Sequence, residues 1–236
     1  MSTTTAATTA ITRKVPLLDL KALHQPLRNE ILAEITRVID AQSFIMGPDV
    51  KELEKELAAY CQVPYVYGCA SGSDALFLAL LAAGVGHGDR VLTTPFTFFA
   101  TAGAIVRAGA TPVFADIDPV TFNLDPQKVA EVLKVVPRIK AMIPVHLFGG
   151  AADMDPLMEM AARRGIVMIE DGAQAIGAEY KGKRLMSIGD IGCISFFPSK
   201  NLGAFGDAGL VTTQNADLAE RLRIMRVHGG KPKYHH

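Results

Sequence analysis

The segment Ile166-Val167-Met168-Ile169-Glu170-Asp171-Gly172-Ala173-Gln174 carries the strongest indication of the fold. Its first four residues are apolar and mostly β-branched, which is typical of a strand buried on both faces of a parallel sheet. Two carboxylates and a glycine then end the run. A buried carboxylate is costly unless it is paired or well hydrogen-bonded, so Asp171 needs a partner at this strand end. The alternative is that Asp171 only caps the following turn.

Similar apolar runs recur along the chain, and segments with helical spacing of apolar residues lie between the earlier ones. This alternation predicts an α/β domain with a mainly parallel sheet covered by helices on both faces. After Asp171 the runs follow one another without a helix, which predicts at least one reversed strand. The predicted strands are Tyr65–Tyr67, Arg90–Thr93, Thr111–Phe114, Ala141–Val145, Ile166–Glu170, Cys193–Phe197 and Leu210–Thr213, and the helices between them are Asp74–Ala83, Phe99–Ala108, Pro126–Val135 and Met154–Arg164.

The composition argues against several classes of partner and location. Among 236 residues, 24 are Lys or Arg and 24 are Asp or Glu, without blocks of like charge, which argues against a nucleic-acid or membrane partner. Three cysteines without metal-ligand spacing indicate free thiols in a reducing compartment. The N-terminus lacks a signal-peptide pattern, and the apolar run Ala75–Gly86 is too short to span a bilayer. We therefore expect a cytoplasmic protein with a flexible tail over residues 1–14 and one large domain over residues 15–236.

Several motif-like stretches are better explained structurally. The run Gly84–Gly88 resembles a dinucleotide loop, but it follows a predicted helix and precedes a strand, the reverse of the required order, so a tight turn is expected. The terminal pair His235-His236 is expected to be chance, and no metal site is predicted. His146 follows a predicted strand and could either reach a site at the sheet edge or serve packing and hydrogen bonding.

Two further segments at predicted strand ends carry candidate binding residues. In Ala70–Leu76 a small-residue turn opens a helix, whose free backbone N–H groups favour an anion. Gly72 would let a phosphate approach closely and the Ser73 hydroxyl could donate to it, although such a turn is often only a helix cap. In Thr94–Phe99 the aromatic side chains could stack on a planar ring, although buried phenylalanines are usually core.

A fourth segment, Ser195–Asn201, places a lysine directly after a strongly apolar strand. Partial burial would make the Lys200 amine a better nucleophile, and the alternative is an ordinary surface lysine. A protonated pyridine nitrogen would be a suitable partner for Asp171. Because ligands of open α/β sheets bind at the carboxyl ends of strands, the four segments can converge on one site.

In their order along the chain, the four segments resemble the DegT/DnrJ/EryC1/StrS family of aminotransferases, which are fold-type I pyridoxal-phosphate enzymes. The resemblance covers about residues 16 to 236. Further segments support it: Phe44–Pro48 with the helix after it, Gly86–Asp89, Pro144–Gly149 and Arg226–Gly229. It implies that the chain is the large cofactor-binding domain of such an enzyme. Family members continue past Gly229 into a C-terminal domain, which we expect this chain to lack.

The resemblance also implies roles for individual residues around pyridoxal 5'-phosphate. Gly72 and Ser73 would hold the phosphate, and Ser195 would add another donor. Relatives can carry Thr in place of Ser73, and another aromatic residue in place of the phenylalanine described next.

At the ring, Phe98 would stack on the pyridine and Asp171 would pair with its nitrogen. Gln174 would lie beside the ring and reach the phenolic oxygen. Lys200 would be the catalytic residue, forming the Schiff base with the cofactor.

The implied activity is transfer of an amino group from an amino acid, by analogy L-glutamate, to a keto-sugar nucleotide in amino-sugar biosynthesis, by a homodimer. One alternative is a sugar dehydratase of the same fold, but those enzymes carry His where Lys200 stands. The other is an inactive truncated or regulatory homologue. The joint presence of Lys200, Asp171 and Gln174 disfavours this alternative, whereas the expected lack of the C-terminal domain favours it.

Overall fold

The computed structural model describes residues 15–230. The predicted flexible tail over residues 1–14 and the His235-His236 pair lie outside these residues. The chain divides into two compact units, one ending at Phe44 and the other beginning at Ile45. The domain organisation expected from the sequence, a tail and one domain over residues 15–236, stays a prediction.

In the described part of the first unit, residues 15–44, the secondary structure is helical. Helix α1 (Leu20–His24) is capped by Asp19, whose carboxylate accepts a hydrogen bond of 3.0 Å from the amide of Ala22. A 3₁₀ turn (Gln25–Leu27) leads into α2 (Arg28–Ala41). Gln42 ends α2 in the left-handed conformation, with φ of 51°.

The second unit contains a sheet and its covering helices. Its strands are β1 (Tyr65–Cys69), β2 (Arg90–Thr93), β3 (Thr111–Phe114), β4 (Ile139–Ile143), β5 (Val167–Asp171), β6 (Glu179–Tyr180), β7 (Lys183–Arg184), β8 (Ile191–Ser195) and β9 (Gly209–Thr213). Its helices are α3 (Pro48–Cys61), α4 (Gly72–Ala82), α5 (Phe99–Arg107), α6 (Pro126–Val135), α7 (Met154–Arg164) and α8 (Ala216–Met225), with a short 3₁₀ turn at Leu147–Gly149.

Seven of these strands form one sheet in the spatial order β1-β9-β8-β5-β4-β2-β3, and β6 pairs with β7 separately. The pairs from β3 through β2, β4 and β5 to β8 are parallel. Strand β9 is antiparallel to both β8 and β1. No described helix lies between β8 and β9, so the chain cannot make the crossover that a parallel pair needs. The predicted reversed strand after Asp171 is confirmed.

Successive residues of the central strands face opposite sides of the sheet. On β2, Val91 packs in the cluster that α4, α5 and α8 cover, whereas Leu92 packs in the cluster that α6 and α7 cover. On β5, Ile169 and Met168 divide in the same way. This alternation is the pleat of a strand buried on both faces, and it confirms the predicted mainly parallel α/β sheet with helices on each side.

Two predicted strands are displaced by two residues along the chain. The sequence predicts Ala141–Val145 and Cys193–Phe197, but β4 and β8 each begin and end two residues earlier. Both apolar runs continue past the strand ends: Val145 forms only an isolated bridge with Asp171, and the amide of Phe196 donates a single hydrogen bond to the carbonyl of Ala208. The predicted turn at Gly84–Gly88 does connect a helix to a strand, α4 to β2.

Cys61, Cys69 and Cys193 are free thiols, as predicted. Within residues 15–230, no helix has the length and apolar character needed to cross a membrane.

Candidate functional site

A cavity of about 390 Å³ opens where the parallel strands end at their carboxyl termini. Its walls come from the segments that follow β1, β2, β4, β5 and β8. This is the edge at which open α/β sheets bind ligands. The structure brings all seven residues predicted for the site to this cavity: Gly72, Ser73, Phe98, Asp171, Gln174, Ser195 and Lys200.

The N-terminus of α4 offers backbone donors to this cavity. Ser71 is the cap residue, and its hydroxyl accepts a 3.0 Å hydrogen bond from the amide of Asp74. Its carbonyl accepts the amide of Ala75 at 2.9 Å. These two bonds leave the amides of Gly72 and Ser73, both lining the cavity, as the donors of the first turn. An anion placed there would meet the positive end of the helix dipole.

Gly72 is required by a close approach between α4 and the end of β8. A Cβ atom at Gly72 would lie 2.6 Å from the Cβ and 3.0 Å from the Oγ of Ser195. A Cβ at Gly209 would likewise collide with the backbone of Ser71. The sequence argument explained Gly72 by a close phosphate. The structure adds that this glycine lets a second hydroxyl, that of Ser195, lie beside the helix N-terminus.

Asp171 ends β5 and is buried, with 4% of its surface exposed. Its Oδ2 accepts a 2.8 Å hydrogen bond from the hydroxyl of Thr101, and its Oδ1 accepts one of 3.2 Å from the amide of Ala173. The bond to Ala173 is the turn cap that the sequence left open as the alternative. It occupies only one oxygen, so capping does not account for the whole carboxylate.

Burial has the largest effect on the pKa of Asp171. It raises the pKa of the carboxyl above the ordinary value of 3.8, while hydrogen bonds from Thr101 and Ala173 and the charge of Lys200 oppose this effect and lower the pKa. A buried carboxylate in this state would be stabilised by a cation in the cavity.

The hydroxyl that reaches Asp171 belongs to a residue that the sequence reasoning missed. Thr101 lies in α5, is buried, and also contacts the hydroxyl of Thr97 at 2.9 Å. Its spacing of four residues from Thr97 at the start of a predicted helix was the available signal, since such residues share a helix face.

His146, at the cavity, forms a fully buried pair with Glu170. The His146 Nδ1 accepts the amide of Ala152 at 3.1 Å, so Nε2 carries the proton in its 3.0 Å bond with Glu170. Glu170 accepts three further amides, those of Met186, Ile188 and Gly189, between 2.8 and 3.0 Å. His146 therefore has the hydrogen-bonding role that the sequence left open, and it also lines the cavity. The sequence reasoning had given Glu170 no role.

Two more side chains shape the cavity from other elements. The Oε1 of Gln174 accepts the amide of Phe148 at 3.0 Å, which leaves its amide N–H₂ group for other partners. Phe98 precedes α5 and lines the cavity with an exposed ring. An exposed aromatic face is suited to covering a planar ligand.

Lys200 lies on a compact loop after β8 and is half-buried. Its amide donates to the carbonyl of Phe197 at 2.8 Å, and the amide of Ala204 donates to that of Phe196 at 2.8 Å. A Cβ at Gly203 would collide with the carbonyl of Pro198, so the loop folds tightly on itself. This fold keeps the lysine at the cavity, where its charge acts on Asp171.

The chain is similar to known proteins in both sequence and structure. The model of the DegT/DnrJ/EryC1/StrS aminotransferase family matches residues 25–236. The "Pleiotropic regulatory protein" of Geobacillus stearothermophilus is 54% identical over 222 residues, 94% of this chain and 59% of that protein. The UDP-N-acetyl-3-dehydro-alpha-D-glucosamine 3-aminotransferase of Acidithiobacillus ferrooxidans is 49% identical over 222 residues, 94% of this chain and 60% of that protein.

Among solved structures, that of S. venezuelae DesV in complex with a ketimine intermediate superimposes with a TM-score of 0.91 at 45% identity. The match covers 95% of this chain and 60% of that one. The chain thus spans about 60% of the length of these proteins. The family model covers well over half of the chain, which confirms the resemblance inferred from the sequence motifs. The chain belongs to the DegT/DnrJ/EryC1/StrS aminotransferase family.

Proposed function

We propose that this chain forms the cofactor-binding part of a pyridoxal-phosphate-dependent aminotransferase. The enzyme would transfer an amino group from L-glutamate to the ketone of a nucleotide-linked sugar. The observation that carries the proposal is the convergence of four different groups on one cavity: a helix N-terminus, an aromatic ring, a buried carboxylate and a lysine. The family to which the chain belongs is pyridoxal-phosphate-dependent, which supports the choice of cofactor.

The side chains present are a good chemical match to this cofactor. The amides of Gly72 and Ser73 and the hydroxyl of Ser195 would bind its phosphate, since all three lie at the positive end of α4. Asp171 would face the protonated ring nitrogen. Burial raises the pKa of Asp171 because it disfavours the ionised carboxylate, and a cation beside the carboxylate would offset that cost.

The remaining predicted residues would complete the binding of the ring. Phe98 would cover one face of the pyridine, and the amide N–H₂ of Gln174 would donate to the phenolic oxygen while its Oε1 stays bonded to Phe148. Lys200 would hold the cofactor covalently through its amine. When an amino-acid donor replaces that bond, the freed amine would move the proton at the donor's α-carbon.

When bound, pyridoxal phosphate supplies an electron sink for carbanion charge. The contribution of the protein is to keep that sink effective and oriented. Asp171 would hold the ring nitrogen protonated, and Phe98, Gln174 and the α4 N-terminus would fix the plane and direction of the ring. Lys200 would be the residue that exchanges protons with the substrate.

The substrate class rests on the relatives and on the family. The A. ferrooxidans relative is named for a UDP-sugar substrate, which supports a sugar nucleotide as amino acceptor. The choice of L-glutamate as donor rests on family resemblance alone. The presence of Lys200 disfavours the sugar-dehydratase alternative, in which His takes that place.

The test begins with absorbance titration of the purified chain with pyridoxal phosphate, followed by addition of L-glutamate and a panel of keto-sugar nucleotides. We expect a new absorbance band on cofactor binding and, with at least one sugar, more than one 2-oxoglutarate per bound cofactor together with the aminated sugar. Lys200→Ala should bind the cofactor only non-covalently and form no product. Activity confined to simple keto acids would refute the substrate class, and failure to bind the cofactor would refute the proposal and favour a regulatory role.

A further inference from the structure

A chain of two hydroxyl groups ends on the carboxylate at the base of the cavity. Thr97 Oγ1 lies 2.9 Å from Thr101 Oγ1, and Thr101 Oγ1 lies 2.8 Å from Asp171 Oδ2. Thr101 is 1% exposed, so its hydroxyl is shielded from water. The resemblance to the family assigned no role to either threonine.

The ionised carboxylate sets the direction of these hydrogen bonds. A carboxylate without a proton only accepts, so the single proton of the Thr101 hydroxyl must point to Asp171. The Thr101 oxygen is then left as an acceptor, and Thr97 must donate to it. Both hydroxyl dipoles therefore point toward Asp171, and hydrogen bonds aligned in this way strengthen one another.

The second oxygen of Asp171 is held by a different part of the chain. Oδ1 accepts the amide of Ala173, which belongs to the turn after β5, whereas Oδ2 is held by α5. Rotation of the carboxylate would break both bonds. Each oxygen keeps a free lone-pair direction for a further donor. The titratable groups near it include His146, from the segment after β4, Lys200, from the loop after β8, and Cys193 of β8.

Helix α5 also carries the aromatic wall of the site. Phe98 is its cap residue and Thr101 follows within one turn. A single short helix thus positions both the ring that would cover the cofactor and the hydroxyl that orients Asp171.

We propose that Thr101 is a positioning residue for the cofactor: its hydroxyl, oriented by Thr97, fixes the Asp171 carboxylate toward the ring nitrogen. This inference rests on the proposed function, because it requires a pyridoxal ring in the cavity. It is not a catalytic role, since Thr101 acts through Asp171.

The experiment compares two ligands that differ only at the ring nitrogen. Pyridoxal phosphate and its 1-deaza analogue, which has C–H in place of that nitrogen, are titrated into the 236-residue chain and its variants. Thr101→Val keeps the shape but removes the hydroxyl. We expect this variant to lower the affinity for pyridoxal phosphate by on the order of tenfold, as for loss of a hydrogen bond to a charged group. The affinity for the deaza analogue should be unchanged.

Three further variants separate orientation from folding. Thr101→Ser should restore pyridoxal phosphate affinity, and Thr97→Val should weaken it by a smaller factor than Thr101→Val. Thr213→Val is the matched control, because Thr213 is also buried and hydrogen-bonded through its hydroxyl but does not line the cavity. It should leave both affinities unchanged.

Equal weakening of both ligands by Thr101→Val would overturn the proposal, because Thr101 would then act only on the shape of the site. Unchanged pyridoxal phosphate affinity would overturn it as well. If the unaltered chain binds neither ligand, the proposed function itself fails, an outcome distinct from the other two.

Discussion

Replacing Asp171 by Asn would change the charge of the site with little loss of hydrogen bonding. The remaining oxygen of Asn can keep the amide of Ala173, and the new N–H₂ group can donate to the Thr101 hydroxyl. Thr101 would then turn its own proton toward Thr97, so the hydroxyl chain reverses instead of breaking. The fold should therefore be preserved, and the effects measured should come from the lost charge.

The stability of the cofactor-free protein should respond with a definite sign. Burial raises the pKa of Asp171 above 3.8, so the folded state binds its proton more tightly than the unfolded state. This contribution to stability is complete below pH 3.8 and is lost as the pH rises through the pKa in the folded protein. At pH 7 we therefore expect Asp171→Asn to have the higher free energy of unfolding, with a difference that shrinks as the pH falls toward 3.8.

The activity should change in the opposite sense. Removing one member of a buried charge pair costs about 3–5 kcal/mol. If that energy appears in the barrier, the rate of amino transfer falls hundreds- to thousands-fold. Losing activity while gaining stability would identify Asp171 as a residue whose burial serves cofactor binding and not folding.

Urea denaturation between pH 4 and 8 would measure the stability, and single-turnover reaction with L-glutamate would measure the rate. Asp190→Asn is a suitable control, because Asp190 also accepts a backbone amide, that of Met168, but lies outside the cavity lining. It should leave the rate unchanged. A normal rate for Asp171→Asn, or a stability difference that grows as the pH falls, would refute the reasoning.

Two other predictions concern packing and assembly. Gly72→Ala should place a methyl group 2.6 Å from the Ser195 Cβ, which should lower stability by about 1–3 kcal/mol and weaken phosphate-dependent cofactor binding; Gly86→Ala, which meets no atom within 4 Å, should do neither. We also propose a homodimer that buries the exposed apolar surface formed by Phe98, Phe99 and Val106 at α5. Val106→Asp should therefore lower the molar mass in light scattering, whereas Val135→Asp on α6, which is also exposed, should not. Unchanged stability of Gly72→Ala, or equal effects of the two valine variants, would contradict these predictions.

The strands of the sheet could be predicted because strands buried on both faces have continuous apolar sequences. The ends of β4 and β8 were not, since Val145 and Phe196 continue the same apolar pattern without continuing the strand. Apolar periodicity records burial, and a residue that lines a cavity or packs beneath a loop is as apolar as one in the ladder.

The site was predictable where its residues end a strand, as Asp171 does, or follow one closely, as Lys200 does. The support for Asp171 was less visible. Thr101 lies 70 residues away in sequence and Glu170 lies 24 residues from its partner His146. The role of a threonine inside a helix, or of an acidic residue inside a strand, depends on the partner that the fold brings to it. That partner cannot be identified from the spacing of residues in the sequence.

The most direct test of the account is the identity of the lysine that holds the cofactor. The chain would be incubated with pyridoxal phosphate, reduced with borohydride, digested and mapped by mass spectrometry, with Lys200→Ala treated in parallel. We predict that the pyridoxyl group is found on Lys200 and is absent from the variant. A label on another lysine, or one that persists in Lys200→Ala, would contradict the central claim that the cavity at the strand ends is a pyridoxal-phosphate site built around Lys200.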